Sequence, residues 1–165
     1  MHSYLNRVSQ AEDIRIGIVG PDGKQAMLQH SADFKAADIP HIFDPGQAMP
    51  LFDGAELRQL IAQANWVVLN DYEFQLLQER TGMGGRAIAS MVEALIVTRG
   101  GEGSTVISAG EEIEITDVKA ESVKDPTGCG DAYRAGLIHG MLNDLDLVTT
   151  CRIGSLMGAI KIAHQ

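Results

Sequence analysis

The chain has 165 residues, enough for one ordinary domain with its own hydrophobic core. Hydrophobic residues make up 45% and charged residues 21%, the balance of a soluble globular protein. The net charge of −9 argues against duplex nucleic acid and anionic membrane as partners, while a local phosphate site held by backbone amides and a metal ion stays open. The opening "MHSYLNRVSQAED" is polar and lacks the apolar centre of a secretory signal. "IRIGIVG" (Ile14–Gly20) predicts a strand, "KQAMLQHSADFKAA" (Lys24–Ala37) a helix and "PHIFD" (Pro40–Asp44) a short buried strand. A helix near Gly54–Ala64, a strand at "WVVLN" (Trp66–Asn70), a helix at Asp71–Arg80 and a strand at "ALIVT" (Ala94–Thr98) follow. These apolar runs are too short to cross a bilayer. Strands without polar alternation, separated by helices, argue for a parallel sheet covered on both faces. From Gly103 the pattern changes to "STVIS", a Gly-Glu-Glu turn and "IEIT", which reads as an edge hairpin, and two helices follow, around Cys129–Leu142 and Leu147–Ala163. With no repeat or linker, residues 1–165 read as one α/β domain.

Cys129 and Cys151 are too few for a disulfide framework and lack metal-ligand spacing, so a reducing cytoplasm is the expected location. Cys129, at a helix start, has the position of a nucleophile, but no histidine is near it in sequence and its small size suits a tight turn. The histidines show no metal spacing and read as surface or packing residues.

In open α/β sheets ligands collect at the carboxyl ends of the strands, and three segments fall there. "NDYE" (Asn70–Glu73) follows one strand. Its plain reading is a capping box; its functional reading makes Asn70 and Glu73 part of the water shell of a magnesium ion. "TRGGEGS" (Thr98–Ser104) is either a glycine-rich turn or a place where nucleotide lies close to backbone. "DPTGCGD" (Asp125–Asp131) opens a helix, whose unpaired amides and dipole attract an anion. That turn is open to three readings. It caps the helix with Asp131 in the first turn; or it is a dinucleotide fingerprint, which Tyr133 breaks where glycine is needed; or it serves phosphoryl transfer. In the last, the amides of Gly128, Cys129 and Gly130 cradle the moving group and Asp131 takes the acceptor's proton.

Taken together, the chain resembles the ribokinase/PfkB carbohydrate-kinase superfamily, which includes adenosine kinases. "DPTGCGDAYRAG" resembles the family signature Asp-Thr-x-Gly-Ala-Gly-Asp, with Cys129 where alanine is usual. "NDYE" resembles its Asn-x-x-Glu magnesium motif, "TRGGEGS" its nucleotide-binding Thr-x-Gly-x-x-Gly, and "IFDPGQAMPLFDG" and "VVLNDYE" its bacterial adenosine-kinase-like branch. The resemblance implies a three-layer α/β/α, ribokinase-like fold with a mostly parallel, Rossmann-like sheet. It implies ATP and Mg²⁺ as cofactors, with K⁺ held near Asp125 and Thr127 in some members. By the same resemblance Asp131 is the base, Gly128, Cys129 and Gly130 the anion hole, Asn70 and Glu73 the magnesium-shell pair, and Thr98, Gly100 and Gly103 the nucleotide site. Ser155 stands where many members carry an asparagine near the adenine.

The resemblance covers the second half and a little more of a typical member. Its first strands, its lid and its acceptor-binding motif are therefore expected to lie outside this chain, which also stops within what should be a late helix. The implied activity is transfer of the γ-phosphoryl group to a hydroxymethyl group of a nucleoside, adenosine above all, or of a sugar. The partner is thus a small molecule, with a homodimer also allowed. Two rivals remain: a catalytically incompetent nucleotide-binding fragment and a Rossmann-type oxidoreductase, the latter disfavoured by Tyr133.

Overall fold

The computed structural model describes residues 13–120 and 122–164. Four short strands, β1 (Gly17–Val19), β2 (His41–Phe43), β3 (Trp66–Asn70) and β4 (Ala94–Thr98), pair in parallel in chain order. The sheet continues through β5 (Ser104–Ser108) to β6 (Glu111–Ile115). β1 is shorter than the apolar run from Ile14 to Gly20, because only Gly17–Val19 has ladder partners on β2. Glu111 and Glu112 belong to β6 rather than to the preceding turn. The turn is Ala109–Gly110, both with positive φ (50° and 83°), a type I′ geometry whose twist suits a two-residue hairpin.

The described residues form two compact units. One runs to Thr98 and includes Val106–Glu112; the other comprises Arg99–Thr105 and the residues from Ile113 onward. In the first unit α1 (Lys24–Ala36), α2 (Gly54–Gln63), α3 (Asp71–Thr81) and the short α4 (Gly85–Ala89) connect the parallel strands. Phe43, Phe52, Leu60, Leu69, Leu77 and Leu95 are all buried in one cluster, each burial stabilising by about 1.5–3 kcal/mol. α2 and α3 begin with capping boxes, Asp53 with Glu56 and Asn70 with Glu73, which satisfy two free amides apiece.

His41 is packing rather than surface. It is wholly buried where β2 begins, and its Nε2 lies 3.2 Å from Ser31 Oγ, whose hydroxyl donates to Gln63 Oε1 at 2.8 Å. Burial holds the imidazole below its ordinary 6.5, the Ile39 carbonyl offsets this in part, and Lys35 adds to the lowering. The unfolded chain therefore takes up this proton at a higher pH than the folded one, so the stability linked to His41 is full above pH 6.5 and is lost as pH falls below it. Melting temperature is expected to drop between pH 7 and pH 5.5, before the carboxylates titrate. In a His41→Gln variant, measured by circular dichroism over the same range, most of that slope should be gone.

The second unit is dominated by α5 (Cys129–Leu142) and α6 (Leu147–Ala163). They approach so closely at Gly136 that a Cβ there would lie 2.7 Å from the Gly154 Cα, a backbone atom that cannot give way. Only glycine allows this crossing. α6 is capped by Asp146, which accepts from the Thr149 amide at 3.0 Å, and it closes at Ala163 with His164 extended behind it.

Candidate active site

In the first unit the parallel register sets Asn70 beside Thr98, the last residues of β3 and β4. Thr98 Oγ1 donates to the Leu69 carbonyl at 3.2 Å. Asn70 Oδ1 accepts from the Glu73 amide at 2.7 Å, and Glu73 Oε2 accepts from the Asn70 amide at 2.9 Å. The capping reading of "NDYE" is therefore realised, and it brings three of the sequence-selected residues, Asn70, Glu73 and Thr98, to one end of one strand pair. One carboxylate oxygen, Glu73 Oε1, stays outside the box. Among the described residues no three His, Cys, Asp or Glu side chains come together as a metal cage. A single carboxylate beside an amide oxygen suits an ion that keeps most of its waters, as Mg²⁺ does.

In the second unit the chain turns through a short 3₁₀ segment, Gly100–Glu102, closed by the Arg99 amide on the Gly103 carbonyl at 2.8 Å. Gly103 has φ 91°, and a Cβ on it would lie 2.1 Å from the Ile115 carbonyl oxygen, so the position admits no side chain. At Gly100 and Gly101, by contrast, a Cβ would meet nothing within 4 Å, so this backbone faces open space. Arg99 pairs with Glu114, which also accepts from Thr105 Oγ1 at 2.8 Å. Arg99 first, then Thr105, hold the Glu114 carboxyl below the usual carboxylate range.

The turn before α5 is fixed from both sides. The Lys124 amide donates to the Ile162 carbonyl at 2.8 Å, and Asp125 Oδ1 accepts from the Thr127 amide at 2.9 Å. Those Thr127 contacts, the backbone amide foremost, keep the Asp125 carboxyl low. Gly128, in the left-handed region at φ 77°, is the N-cap of α5, and the helical ladder opens with the Ala132 amide on the Gly128 carbonyl at 2.9 Å. The Gly130 and Asp131 amides stand ahead of that ladder. The Cys129 amide is already engaged with the Pro126 carbonyl at 3.2 Å, a local bond that composition and spacing do not reveal. Asp131 lies in the first turn with its side chain 88% exposed, paired with Arg134 at 3.3 Å. Ser155 is buried on α6.

Two residues carried no site role in the sequence reading. Asp44 follows β2 and is wholly buried, and an acid directly after an apolar run was its signal. Tyr133 entered only as the residue that breaks a glycine fingerprint. In the structure it is a buried phenol on α5, and a polar-tipped ring on an otherwise small and apolar helix face was the clue.

The profile of the pfkB family of carbohydrate kinases matches residues 7–165. The chain belongs to that family. This pfkB chain is 36% identical over 120 residues to a nucleoside kinase of Methanocaldococcus jannaschii, covering 73% of itself and 40% of that protein. It superposes on the Burkholderia thailandensis nucleoside kinase, solved in complex with inosine, with a TM-score of 0.92 and 51% identity over 94% of this chain and 52% of that one. The solved M. jannaschii nucleoside kinase gives a TM-score of 0.88 at 28% identity, covering 92% and 50%. The pfkB chain thus spans about half the length of these relatives. Its fold is the three-layer α/β, ribokinase-like one, with a mostly parallel six-stranded sheet, and no described helix is long and apolar enough to cross a membrane.

Proposed function

We propose that the natural protein containing this chain is an ATP-dependent kinase that transfers the γ-phosphoryl group to a hydroxymethyl group of a nucleoside. The observation that carries this reading is the turn before α5: amides ahead of the helical ladder with an exposed carboxylate, Asp131, immediately beside them. Family membership and 51% identity to a nucleoside kinase over 94% of the chain support the acceptor class. Asp131 takes the acceptor's proton, and the turn amides of Gly128, Gly130 and Asp131 stabilise the charge on the phosphoryl oxygens, with Cys129 contributing least because its amide is engaged. ATP lies along the open Gly100–Gly101 backbone, in the loop that Gly103 shapes, with Thr98 a nucleotide contact where β4 ends. Asn70 and Glu73 would hold Mg²⁺ through water, and the ion would supply positive charge to offset that of the phosphates. Asp125 and Thr127 are the candidate K⁺ neighbours, and Ser155 a nucleotide contact from α6.

The direct test is to incubate the full natural protein with ATP, magnesium and adenosine, inosine, ribose or fructose, and to follow ADP release and the phosphorylated product. Phosphorylated nucleoside is expected; phosphorylated sugar alone would move the acceptor class, and no product from any acceptor would remove the reading. The metal assignment has its own check. Glutamine can fill the reciprocal side of a capping box as glutamate does, so Glu73→Gln should leave the melting temperature nearly unchanged. It removes the charge, however, and should raise the magnesium concentration for half-maximal activity severalfold. Normal magnesium dependence in that variant would leave Glu73 a cap and nothing more.

A further inference from the structure

Tyr133 lies two residues beyond Asp131 on α5 and is 8% exposed. Its hydroxyl donates to Ser104 Oγ at 3.2 Å, and Ser104 is itself fully buried. Ser104 opens β5 directly after Gly103, the glycine that the Ile115 carbonyl locks in place. The Tyr133 ring packs against Gly154 of α6, whose missing side chain makes the room: a Cβ there would come within 3.0 Å of Tyr133 Cε2. Burial and the neighbouring Cys151 thiol hold the phenol above its ordinary 10, and burial pushes Cys151 up to about 11. Both therefore keep their protons at neutral pH, and the contact to Ser104 is a neutral hydrogen bond with its donor in place.

A buried hydroxyl must find a partner, and this one reaches across to the strand that begins where the nucleotide loop ends. The distances are short on both sides of the bond: two residues to the proposed base, one residue to the loop glycine. Resting on the kinase reading above, we propose that Tyr133 is a positioning residue, its hydroxyl tying the first turns of α5 to the Gly100–Gly103 loop through Ser104, so that bound ATP is held at a fixed offset from Asp131. Without the tie the loop that meets ATP is no longer fixed against α5, and ordering it on binding costs affinity for ATP. The ring fills the space beside Gly154 whether or not it carries a hydroxyl, so the tie can be removed without emptying the core.

The experiment uses Tyr133→Phe, Ser104→Ala and the double variant of the full natural protein, with steady-state kinetics in ATP and in nucleoside, plus melting curves. Each single variant should raise the KM for ATP about 2–10-fold, the loss of one neutral hydrogen bond, while leaving the KM for the nucleoside alone. The double variant should be no worse than either single one, and Ser104→Thr, which keeps the hydroxyl, should restore the wild-type KM. A lowered melting temperature with an unchanged KM for ATP would make the bond a fold element only and overturn the proposal. So would additive effects in the double variant. If the wild-type protein phosphorylates no acceptor, the kinase reading fails separately. The proposal is then decided by the ATP dissociation constants of the same proteins in calorimetry, where the same non-additive weakening must appear, and wild-type protein that binds no ATP overturns it as well.

Discussion

Asp131→Asn, in the full natural protein, should lower turnover by about 10²–10⁴-fold while ATP binding and melting temperature stay close to wild type. The Asp131 side chain is 88% exposed in the first turn of α5 and contributes nothing to a core. Asparagine matches its shape and is tolerated at a helix start, so the fold has no reason to respond. Its carboxylate stands beside the turn amides, where a permanent negative charge opposes a phosphate unless it has proton chemistry to perform. Among the described residues the interaction put at risk is the pair with Arg134 at 3.3 Å, between an exposed carboxylate and a guanidinium three residues on, and such pairs contribute little to stability. Turnover near the wild-type value would reduce Asp131 to a helix-start charge.

The second large effect concerns these 165 residues made alone. They should bind ATP weakly and transfer no phosphate to adenosine, inosine, ribose or fructose. The turn amides, the glycine loop and the Glu73 carboxylate are all carried by the chain, so some affinity for nucleotide should survive. Transfer also needs an acceptor hydroxyl held in line with the γ-phosphate, and positioning is most of what such an enzyme supplies. The chain corresponds to about half of the solved nucleoside kinases it resembles, which is why the acceptor side is expected to be incomplete. The same preparation should self-associate through β1, an edge strand among the described residues, with Ile18 37% exposed. The other edge, β6, carries Glu111, Glu112 and Glu114 and repels a neighbour. Calorimetry with ATP beside a product assay decides the matter, and robust phosphorylation of any acceptor would mean that the chain builds a whole site by itself.

Much of the fold was legible because its signals are local and repeated. β3, β4 and β5 were bounded to the residue by runs of buried β-branched side chains, and α3 and α5 by Asn70 and Gly128 at their starts. β1 was over-extended because hydropathy marks burial, whereas a strand needs a paired neighbour. α4 was missed: five residues are too few for helical periodicity, and Gly84 before Gly85 masks its start. The 3₁₀ segment Gly46–Leu51 escaped for a similar reason, since six residues with Pro50 among them carry no helical period.

For the candidate site, residue types were legible and commitments were not. Motif spacing selected Asn70 and Glu73 and offered a capping box beside the metal reading, and the structure realises the box, each side chain bonding the other's amide. Spacing also offered the Cys129 amide to an anion, and the bond to Pro126 withdraws it. Tyr133 was hidden because its partner, Ser104, is 29 residues away in sequence, a separation that no local pattern crosses.

The reciprocal pair at the head of α3 has one more consequence, for how metal capture could be watched. The amide proton of Asn70 is held by Glu73 Oε2, an oxygen of the carboxylate proposed above to face Mg²⁺. A cation that drew on Glu73 Oε2 would compete with that proton and leave it to exchange quickly with deuterated solvent. A cation content with Oε1 and water would leave it protected. The exchange rate at one backbone position thus distinguishes direct from water-mediated capture, without any turnover being measured and without altering a single residue.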